Sequence, residues 1–156
     1  MKAFHRVALL CTIYLCFSCQ DHTDTKQNET AAIIKTLNNE TKYAYSRDYP
    51  NWADQWIQEP FVCKTYINMA DSSVEELRNW TEIDNFIKDY FKAHPKPDPL
   101  PELLKDVTVR VYGTGAWVTY EQRDPTEGLK RETRLMEKSN GKWKIAGMHT
   151  TIYGFK

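Results

Sequence analysis

Glu132, Arg134 and His149, near the C-terminus, are the residues of this chain best placed to do chemistry. Asn140-Gly141 between them is a two-residue hairpin signal, because both positions tolerate positive φ. With that loop, Ser139 faces Lys142. Each step back along one strand then matches one step forward along the other, provided no bulge intervenes. Lys138 faces Trp143, Met136 faces Ile145, Arg134 faces Gly147 and Glu132 faces His149. Strand periodicity puts all these side chains on one face. Near the turn that face is apolar, and farther away it is charged. A direct Glu132–His149 contact would raise the histidine pKa and fix its ring, as a general acid or base requires. Arg134 could pair an anionic ligand group, with Gly147 opposite leaving space. The same residues would equally make a salt-bridge cluster with a satisfied histidine, and spacing alone does not choose.

His5, His22 and His94 are scattered, and none has a metal-ligand spacing, so neither a metal nor another cofactor is expected. Trp52 and Trp56 stand four apart after Pro50 and share a helix face. With Tyr120 they would give a ligand cavity aromatic walls, or else simply pack in the core.

The elements that must position these residues follow from periodicity. Ile33, Ile34, Leu37, Ala44 and Tyr45 place a helix from Thr30 to about Arg47. Pro50 suits the first turn of a second, short helix capped by Asp48 or Tyr49. Phe61 to Met69 alternates as a strand, which makes Cys63 a small buried hydrophobe. Ser72 to Glu76 offers two overlapping capping boxes. The amphipathic run Trp80, Ile83, Phe86, Ile87, Tyr90 and Phe91 is a helix, ended by Pro95, Pro97, Pro99 and Pro101. Strands follow over about 107–112, 116–122, 129–138 and 142–155. Helices first and an antiparallel meander after them is an α+β order, with helices on one face of a curved sheet.

The chain has 156 residues, with 21 Lys and Arg against 21 Asp and Glu. Its 41% hydrophobic and 13% aromatic content suits one globular domain. Balanced charge argues against a nucleic-acid binder. Lys2 and Arg6 precede the uncharged run Val7 to Phe17, the layout of an export signal over residues 1–18 and too short to span a bilayer. Ser18-Cys19 at its end resembles a bacterial lipobox, with Cys19 as the acylated residue. The match departs from that pattern at Cys16, where a leucine is usual, and at Phe17. A lipid-anchored protein of the cell envelope is expected, the alternative being a periplasmic or secreted one. The polar stretch 19–29 then reads as a flexible tether, and 30–156 as the domain.

Residues 115–122, 131–138 and 140–149 resemble the C-terminal half of the nuclear transport factor 2-like superfamily, which includes SnoaL-like proteins and a kinase association domain. The most specific piece is the run from Arg134 to Ile145, followed four residues later by His149. The resemblance implies a cone-shaped α+β fold, N-terminal helices packed on a curved antiparallel sheet, a pocket between them and a homodimer. The arginine of the association domain that matches Arg134 lines its pocket, whereas a second pocket arginine there corresponds to Gln122 here. Three functions fit. The first is a non-catalytic module taking a small amphipathic or acidic ligand among Trp52, Trp56, Tyr120, Arg134 and His149. The second is a SnoaL-like isomerase, cyclase or dehydratase with a His149–Glu132 acid/base pair. The third is a structural protein that assembles through the sheet face bearing Trp117.

Overall fold

The computed structural model describes residues 14–124 and 127–155, with side chains from Thr25 onward. The first part of the expected export signal, the Cys19 side chain and the turn at Pro125 therefore fall outside the described residues. Helix α1 (Tyr14–Ser46) and helix α2 (Tyr49–Asp54) come first. A hairpin of β1 (Cys63–Asn68) and β2 (Ser73–Leu77) leads to helix α3 (Trp80–Ala93). Then come β3 (Thr108–Tyr112), β4 (Gly115–Asp124), β5 (Gly128–Ser139) and β6 (Lys142–Gly154). All six strands form one sheet in the order β2-β1-β6-β5-β4-β3. The β1–β6 pair is parallel and every other pair is antiparallel. Among the described residues no helix is long and apolar enough to cross a membrane.

Local chemistry explains the helix ends. Asp48 accepts a hydrogen bond from the Asn51 N–H at the start of α2, beside Pro50. Asn79 caps α3 by accepting from Glu82 N, and the Glu82 carboxylate reaches back to Arg78 N. The apolar faces of all three helices meet the sheet: Ile33 and Leu37, Trp52, and Ile83 and Ile87 pack with Val118, Met136 and Ile145. Each of these side chains contributes about 1.5–3 kcal/mol through removal from water.

Three expectations need correction. Ser72 to Glu76, expected to cap a helix, instead leads into and forms most of strand β2. Asp71 accepts from Ser73 N, Ser72 takes φ 60°, and the resulting turn folds the chain back on β1. The polar stretch 19–29, expected to be a flexible tether, is helical and continuous with α1. It holds neither proline nor glycine to stop the helix, and Glu29 accepts from Lys138 and from the Trp143 indole. Cys63 is exposed rather than buried, because Val62 and Lys64 take the inward positions around it.

Candidate functional site

The last hairpin starts as its turn dictates. Asn140 and Gly141 have φ of 50° and 77°, Ser139 pairs with Lys142, Lys138 with Trp143 and Met136 with Ile145. Then the register shifts. Leu135 pairs with Gly147, so Ala146 is an extra residue in β6. The cause lies on the other side of the strand. Ile145 donates to Gln55 O and accepts from Ile57 N, both at 2.8 Å, whereas from Gly147 onward β6 pairs with β1. The bulge sits where β6 changes neighbours.

One extra residue reverses the phase of everything beyond it. Arg134 pairs with Met148, Glu132 with Thr150, and His149 with Thr133. Glu132, Arg134 and Thr150 are buried on the inner face, while His149 is exposed on the outer one. The expected Glu132–His149 pair is therefore not formed, and His149 does not share a cavity with Arg134.

Arg134 is only 4% exposed. Its Nε donates to Tyr120 Oη at 3.2 Å, and its Nη2 lies 3.3 Å from Glu132 Oε2. Thr150 Oγ1 donates to the same carboxylate oxygen at 2.8 Å. Nη1 is buried with no hydrogen-bond partner among the described residues. Burial works against the guanidinium charge, but Tyr120, Glu132 and Glu40 outweigh it and hold its pKa above the ordinary value. Burial also pushes the Tyr120 phenol up to about 12, although Arg134 beside it acts the other way. Tyr120 is consequently a neutral hydroxyl at physiological pH, able to donate and accept but not to act as a base.

Tyr120 also forms part of the wall of a groove of about 950 Å³ between the 101–106 segment and β4. Leu103, Leu104 and Thr108 line it too. Asn38 on α1 holds the segment by accepting from Leu104 N at 3.0 Å. β3 begins only at Thr108, opposite Thr119, so the far end of β4 is left open to this groove. The groove and the buried cluster share one residue: Tyr120 is among those lining the groove, and its largely buried side chain accepts from Arg134 through its hydroxyl.

Trp52 and Trp56 lie elsewhere. Both are fully buried, with ring centroids 5.7 Å apart, and Trp52 stacks on Trp80 at 6.0 Å. They are core walls and not part of the groove that Tyr120 lines. Trp52 Nε1 donates to Glu40 at 2.9 Å, whereas Trp56 Nε1 is buried without a hydrogen-bond partner among the described residues.

Reading the sequence missed two residues of this interior, Glu40 and Lys64. Lys64 is 4% exposed, and its ammonium lies 5.3–5.9 Å from the ring centroids of Trp52, Trp56, Tyr66 and Phe86. The signal available was the alternation through Val62, Lys64 and Tyr66. That phase is the opposite of the one that buries Cys63, and it puts a lysine inward, where lysine is seldom found.

Comparison with known proteins bears on the whole of this arrangement. A SnoaL-like domain model matches residues 33–153. No curated protein matches the sequence. An NTF2-like (nuclear transport factor 2-like) protein of unknown function from Pseudomonas putida KT2440 has a similar structure, with a TM-score of 0.63 and 14% identity over 80% of this chain and 87% of that one. Another NTF2-like protein of unknown function, from Shewanella oneidensis MR-1, gives 0.55 and 20% over 79% of this chain and 98% of that one. A cystatin-like fold protein from Burkholderia xenovorans LB400 gives 0.58 and 18% over 81% of this chain and 92% of that one. What these structures share with the chain is the fold.

Proposed function

This chain belongs to the SnoaL-like family, and from that premise we propose that it is an exported, lipid-anchored module that binds a small acidic or amphipathic ligand without turning it over. One observation carries the reading: Arg134 is buried, charged and oriented by Glu132 and Tyr120, yet among the described residues its Nη1 has no hydrogen-bond partner. A ligand in the adjoining groove would lay its body along Leu103 and Leu104, and its anionic end would reach that buried nitrogen only by displacing the Tyr120 side chain that separates the two. A charge-assisted bond of this kind is worth about 1.5–3 kcal/mol. The acid/base pair that an isomerase, cyclase or dehydratase could have used is absent, since His149 and Glu132 face opposite sides of the sheet. Native mass spectrometry of protein recovered from its own membrane tests the reading. The expected result is a bound small acid, lost in Arg134→Lys. A ligand retained in full by that variant would contradict it.

Export and anchoring rest on Lys2, Arg6, the apolar run after them and the Ser18-Cys19 junction. Cys19→Ala should free the protein from the membrane fraction or block its processing, and unchanged partitioning would contradict the anchor. The domain further pairs with a second copy through the outer face of the sheet. Trp117 and Leu135 are cross-strand neighbours there, each 47% exposed, and Tyr112 lies beyond them. Sedimentation of Trp117→Ser should give a monomer where the wild type gives a dimer; identical behaviour of the two would contradict the assignment.

A further inference from the structure

We infer that Lys64 and Trp56 form a second acid-binding position, in which the Lys64 ammonium and the Trp56 indole N–H together take the carboxylate of a small, flat organic anion. The position stands on β1 and the segment after α2, away from the groove. Arg134 and Lys64 both flank Met148 in the register, which separates them by two strand spacings, roughly 10 Å.

The argument begins with donors. Lysine offers three N–H groups and no acceptor. Among the described residues Lys64 has neither an ion-pair partner nor a hydrogen-bond acceptor; its contacts are the faces of four rings. Cation–π attraction compensates part of the charge, but a ring face is a poor substitute for an oxygen. Trp56 adds a second buried donor without a partner. Trp52, in the same box, marks the contrast because its N–H is already satisfied by Glu40. The ammonium lies 5.9 Å from the centroid of the ring that carries the second donor, and two donors without an acceptor suit the two oxygens of a carboxylate.

Charge points the same way. The buried carboxylates Glu132 and Glu40 both act on Arg134. Among the described residues Lys64 is the buried cation without an ion pair, and an anion placed at its ammonium would give it one. The walls select the body of the ligand. Trp52 and Trp56 close the box on the core side, while Tyr66 and Phe86 are only half-buried and reach the surface. A planar body can therefore lie against Tyr66 and Phe86 with its acid group turned inward.

Benzoate is the probe, followed by proton–nitrogen correlation spectra of the whole domain. The two indole N–H signals are told apart by their loss in Trp56→Phe and Trp52→Phe. Benzoate should shift the Trp56 indole signal saturably and the Trp52 signal much less, and neutral benzamide should shift neither. Lys64→Met, which conserves volume and removes the charge, should abolish the response. Trp56→Phe keeps the ring but lacks the N–H. Read at the Tyr66 amide, it should bind benzoate about tenfold more weakly. Arg134→Lys should leave the response within twofold of wild type. A saturable response that survives Lys64→Met, an equal response to benzamide, or no saturation at all would overturn the assignment. A response lost in Arg134→Lys but kept in Lys64→Met would place benzoate in the groove, overturning this position while leaving the groove reading intact.

Discussion

Arg134 and Lys64 are cations buried to the same degree on the same inner face, and the fold holds them by opposite means. Arg134 is enclosed by polar groups: a carboxylate, a phenol and, through that carboxylate, a threonine hydroxyl. Lys64 is enclosed by four aromatic rings. The difference follows from the side chains. A planar fork of five donors suits directed hydrogen bonds, whereas a compact ammonium on a long apolar stem can be tolerated by quadrupoles. It also follows that the two are not equally replaceable. Removing Arg134 strands a buried carboxylate, whereas removing Lys64 strands nothing charged.

The largest expected effect tests that asymmetry. Arg134→Ala should cost about 3–5 kcal/mol, because Glu132 is left unpaired in the interior. Lys64→Met should change stability by no more than about 1 kcal/mol, since an apolar chain of similar volume fills the same box. Denaturant unfolding of both variants measures this, and equal losses would break the comparison.

Alkaline pH sharpens the Arg134 side. The Tyr120 phenol ionises near 10 in the unfolded chain and near 12 in the folded one. A pKa raised by folding gives stability that is complete below pH 10 and is lost as pH climbs to about 12. The loss amounts to about 2–3 kcal/mol. In Tyr120→Phe the unfolding free energy should fall less steeply across that window; an identical slope would mean that Tyr120 is not sheltered.

The Lys64 side is probed by its two tryptophans. Trp52→Phe and Trp56→Phe remove the same atoms, but only the first breaks a bond to a carboxylate. Trp52→Phe should therefore be the more destabilising by about 1.5–2 kcal/mol. The smallest effect belongs to the strand between the two cations. A Cβ at Gly147 would lie 3.3 Å from Leu135 Cβ and 3.6 Å from Cys63 Sγ. Gly147→Ala should cost less than about 1 kcal/mol, because both neighbours lie on the open face of the sheet and can yield.

Much of this architecture was legible in the sequence. The Asn140-Gly141 turn, the four C-terminal strands, the face of α3 and the α+β order are all written in local patterns of charge, size and φ tolerance. The inward placement of Glu132 and Arg134 was legible as well, since both lie at an even step from Met136, which is apolar and close to the turn. His149 was misplaced because nothing between Ile145 and His149 marks Ala146 as an extra residue. The bulge is imposed by a tertiary partner, the Gln55–Ile57 backbone, more than eighty residues away in the chain. Ser72 to Glu76 failed for a related reason. Its capping pattern is real, but pairing along β1 satisfies the same backbone groups in a strand. Lys64 was invisible because no local rule expects an ammonium inside an aromatic box.

The most direct test of the proposed function is equilibrium titration of wild type and Arg134→Lys with paired small carboxylates and their neutral amides. The account predicts saturable binding of carboxylates but not of their amides, with at least one carboxylate bound about tenfold more weakly by Arg134→Lys, which lacks the Nη1 donor and cannot keep the bonds to Tyr120 and Glu132 while reaching the ligand. Binding that is indifferent both to the charge of the ligand and to the identity of residue 134, or no binding by any member of the set, would contradict it.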